Sequence, residues 1–185
     1  MRVAIPCLAV TFAAGLLLAP ASAQGVKTVG GAPMYPSKTI VQNAVNSKDH
    51  TTLVTAVKAA GLVDTLQTAG PFTVFAPTNA AFAKLPAGTV ETLVQPQSKA
   101  TLTSVLTYHV VPGRFTASDL RKAVKEGGGE ARLKTVQGGT LTVIPGRSGK
   151  SLFIADSKGN TSRVTVADVM QSNGVIHVVD TVVMP

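Results

Sequence analysis

The feature that most constrains this chain is a change of hydrophobic period along its length. Between residues 37 and 126 apolar side chains recur mainly at the three- to four-residue spacing of helices. From residue 131 to the end they alternate, or run on, in short segments separated by glycine, asparagine and proline. Runs of helices followed by runs of strands argue for an α+β fold, with an antiparallel sheet covered by helices.

Punctuation residues support the same division. Ser37 can cap a helix carrying Ile40, Val41, Ala44 and Val45, and Asp49 can cap one carrying Leu53, Val54, Val57 and Ala60, ended near Gly61. Leu62, Val63 and Leu66 extend the stripe, and "FTVFA" from Phe72 reads as a short strand. Thr78 opens a short helix, and Leu102, Val105 and Leu106 mark another that runs into "YHVV". Thr116 and Asp119 form a capping box before Leu120 and Val124, and Gly127–Gly129 stop that helix. "ARLKTV" and "TLTVI" flank a hairpin turn at Gln137-Gly138-Gly139. "SLFIAD", "RVTVADV" and "GVIHVVDTVV" complete the strands.

Residues 1–23 have the layout of a secretory signal peptide: Arg2, an apolar run from Leu8 to about Ala19, and a small-residue exit at Ala21-Ser22-Ala23. That run is too short for a membrane span, which takes roughly 20 apolar residues. The expected product is secreted or periplasmic after cleavage near Ala23, with no transmembrane segment. Residues 24–36, Gly-rich and unpatterned, read as a flexible lead-in, and 37–185 as one domain. The single cysteine, Cys7, lies in the leader, so the exported chain has no disulfide and must be held by its core.

Positive charge gathers between Arg114 and Arg163, with ten basic residues against four acidic. Such a field suits acidic polysaccharide or anionic lipid. Only Phe115 and Phe153 lie among those cations, too few for stacking on single-stranded nucleic acid, and no nucleic-acid partner is expected.

His177 and Asp180 are three apart on a strand and so face opposite sides of it, which rules out a catalytic pair within a regular strand. His109 continues the stripe of Leu102, Val105 and Leu106 and reads as a hydrogen-bonded core histidine, whereas His50 beside a cap reads as exposed. The three histidines and nine carboxylates are scattered, with no metal-ligand spacing. "GRSGKS" from Gly146 mimics a phosphate-binding loop, but Ile144 stands where glycine is required and strands flank it on both sides. No catalytic residue, cofactor or metal is expected. Asn160-Thr161-Ser162 forms a glycosylation sequon.

Three stretches together resemble the fasciclin domain family: "GPFTVFAPTNAAFAKLP" (Gly70–Pro86), "YHVVPG" (Tyr108–Gly113) and "SNGVIHVVDTVVMP" (Ser172–Pro185). The resemblance implies a wedge-like β-sandwich with an N-terminal helical layer. It implies structural work for Phe72, Val74, Phe75, Thr78, Asn79, His109, Asn173, Gly174, Ile176, His177, Val178 and Val182, with His109 tying the domain centre to the Thr78 turn. It also implies a non-enzymatic adhesion module that contacts a cell-surface or matrix protein. Family adhesion elements match Tyr108-His109 and Asp168-Val169 here. Arg114, Phe115, Arg121 and Lys122, after a turn and mostly charged, are further candidate contact residues. The alternative reading is a binder of acidic glycan or anionic lipid through residues 114–163.

Overall fold

A computed structural model describes residues 25–185 apart from 68, 69, 87, 148 and 150. The leader, Cys7 and the cleavage point near Ala23 lie outside the described residues. Helices α1 (Ile40–Ala44), α2 (Thr51–Ala60), α3 (Val63–Gln67), α4 (Asn79–Ala83), α5 (Thr89–Leu93), α6 (Lys99–Tyr108) and α7 (Ala117–Glu126) all precede residue 127. Strands are β1 (Lys27–Val29), β2 (Ala32–Met34), β3 (Phe72–Pro77), β4 (Val110–Pro112), β5 (Ala131–Lys134), β6 (Thr140–Pro145), β7 (Leu152–Ala155), β8 (Thr161–Gln171) and β9 (Gly174–Val179). The division read from the hydrophobic period is therefore present.

Seven strands form one sheet in the order β4-β3-β9-β8-β7-β6-β5. The sheet is mixed rather than wholly antiparallel: β3 pairs parallel with β9, Phe72 opposite Gly174 and Pro77 opposite Val179. Nothing local encodes that pairing, because its partners are about a hundred residues apart. Strand β8 changes register twice, between Val164 and Val166 and between Val166 and Val169, so its two ends serve β7 and β9. Such bulges bend a strand and deepen its twist. The bent sheet almost closes, since the Val136 amide donates to the Val110 carbonyl across 2.8 Å just beyond β5 and at the start of β4.

Two cores result, one on each side of β3 and β9. Side-chain alternation divides them: Val74, Ala76, Ile176 and Val178 face the helices α1, α2 and α6, while Phe75 and Val179 face the barrel-like interior. Leu120 and Val124 of α7 join Leu133, Leu141, Val143 and Ile154 in that interior.

Four local expectations change. Asp49, expected to cap α2, lies instead in the 3₁₀ turn before it, and α2 starts without a side-chain cap of its own. Residues 27–34 are not a bare lead-in but the β1–β2 hairpin, turning through Gly30 and Gly31 with positive φ and burying Val29, Ala32 and Met34 in the helical-side core. Its strands have three residues each, too short for a period to show. Helix α1 is capped by Thr39, not Ser37, in a capping box closed by Gln42. His50 is 3% exposed, because a 3₁₀ turn over Lys48–His50 precedes α2 and folds the ring inward onto Ser47.

Candidate functional site

The residues singled out from sequence converge on the joints between the two cores, and most are buried. His109 ends α6. Its Nδ1 donates to the Val105 carbonyl (2.8 Å), which leaves Nε2 to accept from the Val183 amide (3.3 Å). Its own carbonyl accepts from the Phe75 amide (2.9 Å). His109 thus ties α6 to β3 and the C-terminal segment, its ring bonds going to Val105 and Val183 rather than to the Thr78 turn. Complete burial lowers its pKa to about 4, against a smaller opposing effect of the Val105 carbonyl, so the ring is neutral at pH 7.

His177 lies in β9 with its ring stacked on Phe75, the centroids 5.5 Å apart. Its Nε2 donates to the Phe115 carbonyl (2.8 Å) and Nδ1 accepts from the Asp168 amide (3.4 Å). Burial lowers its pKa. Asp180 turns the other way, accepting from the Arg163 amide (2.9 Å) and the Thr181 hydroxyl (3.1 Å), as strand alternation required. In both histidines the two ring nitrogens are occupied by backbone groups. Neither can take a proton without setting N–H against N–H.

Asp168 carries the one positive φ among described non-glycine residues, 56°. It occupies the second bulge of β8, and its carboxylate accepts from the Ala117 amide (2.6 Å), the first residue of α7. A carboxylate at a helix N-terminus is favoured by the exposed amides there. Such strained backbone, costing of order 1–3 kcal/mol, persists where its surroundings hold it. Here the His177 ring, the α7 amide and the Lys27 ammonium, which donates to the Ala167 carbonyl, hold it from three elements.

Tyr108 is 1% exposed, its hydroxyl donating to the Thr140 carbonyl (2.7 Å) and accepting from the Ser157 amide (3.3 Å). Val169 is also 1% exposed. Tyr108, His109 and Val169 therefore join elements and do not present a surface, which removes them as direct contact residues in this fold. Phe115 is half-buried against the barrel core. Arg114 is exposed and reaches the Gln171 carbonyl at 3.4 Å. Arg121 and Lys122 are exposed on α7, Lys122 lying 3.9 Å from Glu126.

The remaining motif residues are joints of the same kind. Thr78 caps α4, its hydroxyl accepting from the Ala81 amide (3.2 Å). Asn79 crosses to the start of α2, accepting from the Thr52 amide (3.0 Å) and donating to the Lys48 carbonyl (2.8 Å). Buried Asn173 accepts from the Ile40 amide (3.0 Å) and donates to the Leu66 carbonyl (2.7 Å), joining α1 and α3 to the start of β9. Gly174 admits no side chain, since a Cβ would stand 2.1 Å from the Phe72 carbonyl oxygen. Sequence reasoning missed buried Asn43 and Gln171, whose side chains bond each other, Asn43 also donating to the Tyr35 carbonyl (2.8 Å). The available signal was an asparagine three residues after Ile40, on the buried face of α1.

Among the described residues no group of three or more His, Cys, Asp or Glu side chains could hold a metal ion, and no helix is long and apolar enough to cross a membrane.

The chain is similar to known proteins. The family model described as Fasciclin domain matches residues 48–185. Protein sll1483 of Synechocystis sp. is 48% identical over 149 residues, covering 80% of this chain and 73% of that protein. The immunogenic protein MPB70 of Mycobacterium bovis is 34% identical over 190 residues, covering 94% and 84%. The cell surface glycolipoprotein MPB83 of the same species is 40% identical over 124 residues, which is 67% of this chain but 48% of that protein. A solved structure of a FAS1 domain pair from the insect cell adhesion molecule Fasciclin I superposes with a TM-score of 0.68 at 22% identity. The match covers 78% of this chain, which spans half of that one, and shows a shared fold.

Proposed function

Because the chain belongs to the fasciclin domain family, we propose that it is an exported, non-enzymatic protein that works by contact with another surface or matrix protein. One observation carries this reading. The motif residues that could suggest chemistry (Tyr108, His109 and His177) are buried with their polar atoms bonded to backbone, which leaves the exposed surface to act. The exposed side chains Arg114, Arg121 and Lys122, with the edge of Phe115, are the contact residues of this reading. Asp168 contributes by fixing the start of α7, which carries Arg121 and Lys122. Export is supported by the leader-like N-terminus and by the cell-surface name of MPB83.

A second reading, attachment to acidic glycan or anionic lipid, is favoured by the exposed cations of α7 and β5: Arg121, Lys122, Lys125, Arg132 and Lys134. Two of them already face carboxylates, Lys122 at Glu126 and Arg132 at Glu130 (2.9 Å), which weakens the field. Capture of envelope proteins and acidic glycans at low and high salt separates the two. The contact reading predicts a protein retained at high salt and lost in an R114A/R121A/K122A variant. Capture of glycan or lipid alone, vanishing as salt screens it, would replace the first reading with the second.

A further inference from the structure

An apolar cavity of about 70 Å³ lies between α1, α2, α3, α6 and the β3–β4 pair. Val41, Val57, Leu62, Leu66, Val74 and Leu106 form much of its wall. A single water needs about 10–15 Å³, so the space would hold several. The wall gives them little to bond. Both ring nitrogens of His109 are occupied, and the Thr107 hydroxyl donates to the Thr103 carbonyl (2.6 Å). Water confined there would lose hydrogen bonds, whereas hydrocarbon would gain dispersion contacts that the gap now forfeits.

One charged side chain, a lysine, stands among the lining residues. Lys58, on the last turn of α2, lines the cavity, is exposed and forms no ion pair among the described residues. The Lys99 ammonium lies 3.5 Å from where a Cβ on Gly61, the residue that ends α2, would stand. An apolar slot lined by one exposed lysine is complementary to a hydrocarbon tail with an anionic head. We propose that this cavity binds a single-chain anionic amphiphile of the fatty-acid class, the tail among α1, α2 and β3 and the carboxylate at Lys58.

The cavity is about half the roughly 150 Å³ of an engineered cavity that holds benzene, so a long tail must displace part of the wall. Helix α3 is the yielding element. It has five residues and buries only Leu66. This inference goes beyond the contact reading and does not depend on it.

Binding of dodecanoate to protein made from the full-length sequence tests the proposal, read by calorimetry and by amide chemical shifts below the micelle concentration. Saturable binding with shifts in α1, α2, α3 and α6 is expected. Val54→Phe, which fills the slot from half-buried Val54, should weaken binding at least tenfold. Lys58→Glu should weaken dodecanoate at least fivefold and leave uncharged dodecanol within twofold. The N-terminal apolar run is common to all these proteins, so differences between them read the cavity. If Val54→Phe does not fold, Val63→Phe fills the slot from the rim, and the shifts locate the tail without any variant. No saturable binding, shifts confined to other elements, or affinity unchanged by filling the slot would overturn the proposal.

Discussion

The two sides of the central strands β3 and β9 are built differently. The barrel side encloses large side chains at essentially no exposure, Leu120, Leu141, Val143 and Ile154 among them, each at 0%. The helical side is looser: Val41 retains 9% exposure, and Leu53, Val57 and Leu66 8% each, around the 70 Å³ cavity. The reason is architectural. Strands stitched by a hydrogen-bonded ladder hold their side chains in a fixed lattice, while α1 and α3, with five residues each, are too short to be stable except through packing. The difference teaches that one half of this chain is a scaffold and the other can adapt.

Matched truncations should break the symmetry most visibly. Leu141→Ala, in the closed interior, should cost about 4 kcal/mol, and Leu53→Ala, beside existing free space, about 2–3 kcal/mol. Urea unfolding of the two variants measures both. Equal losses would mean that the two cores are equally tight.

Acid should act on the joints between them. His109 has a pKa near 4 in the fold against about 6.5 unfolded, so below pH 6.5 the unfolded chain binds the proton that the fold refuses. The stability owed to neutral His109 is complete above pH 6.5 and is lost as pH falls towards 4. The loss is about 3 kcal/mol by the linkage of pKa to stability. His177, also lowered by burial, adds in the same direction. Unfolding at pH 7 and pH 4.5 should show the drop, and His109→Gln should lower stability at pH 7 while flattening the pH dependence. An unchanged slope in that variant would move the acid sensitivity elsewhere.

The smallest effect sharpens the comparison, because each side owns a capping box: Thr39 with Gln42 on α1, and Thr116 with Asp119 on α7. Removing either threonine hydroxyl should cost about 1 kcal/mol. Thr39→Ala should lower the energy of local opening of α1 together with the global unfolding energy, whereas Thr116→Ala should lower the global unfolding energy and leave the local opening of α1 unchanged. Hydrogen exchange in the two variants distinguishes local from global loss.

Much of this was legible in the residues, and what was not has physical causes. The capping box at Thr116, the turn at Gln137–Gly139 and the opposite orientation of His177 and Asp180 follow from local rules, and the structure has all three. The family motifs are present, but they serve as joints. Tyr108 and Val169 look like surface candidates in a motif and turn out to be sealed, because burial depends on which distant element lies over a residue. The same holds for His50, covered through a 3₁₀ turn that no periodicity announces. The parallel β3–β9 pairing and the positive φ at Asp168 are tertiary facts: one joins distant segments, and the other is held by groups from three elements. The cavity has no sequence signature at all, since it is where side chains fail to meet.

Native-state hydrogen exchange tests the division into scaffold and adaptable half most directly. Amides of Leu141, Val143, Ile154, Val178 and Val179 should exchange only through global unfolding, while those of α1, α2 and α3 open at energies at least 2 kcal/mol lower. Uniform protection across both sides, or faster exchange in the barrel strands than in the helices, would contradict the account.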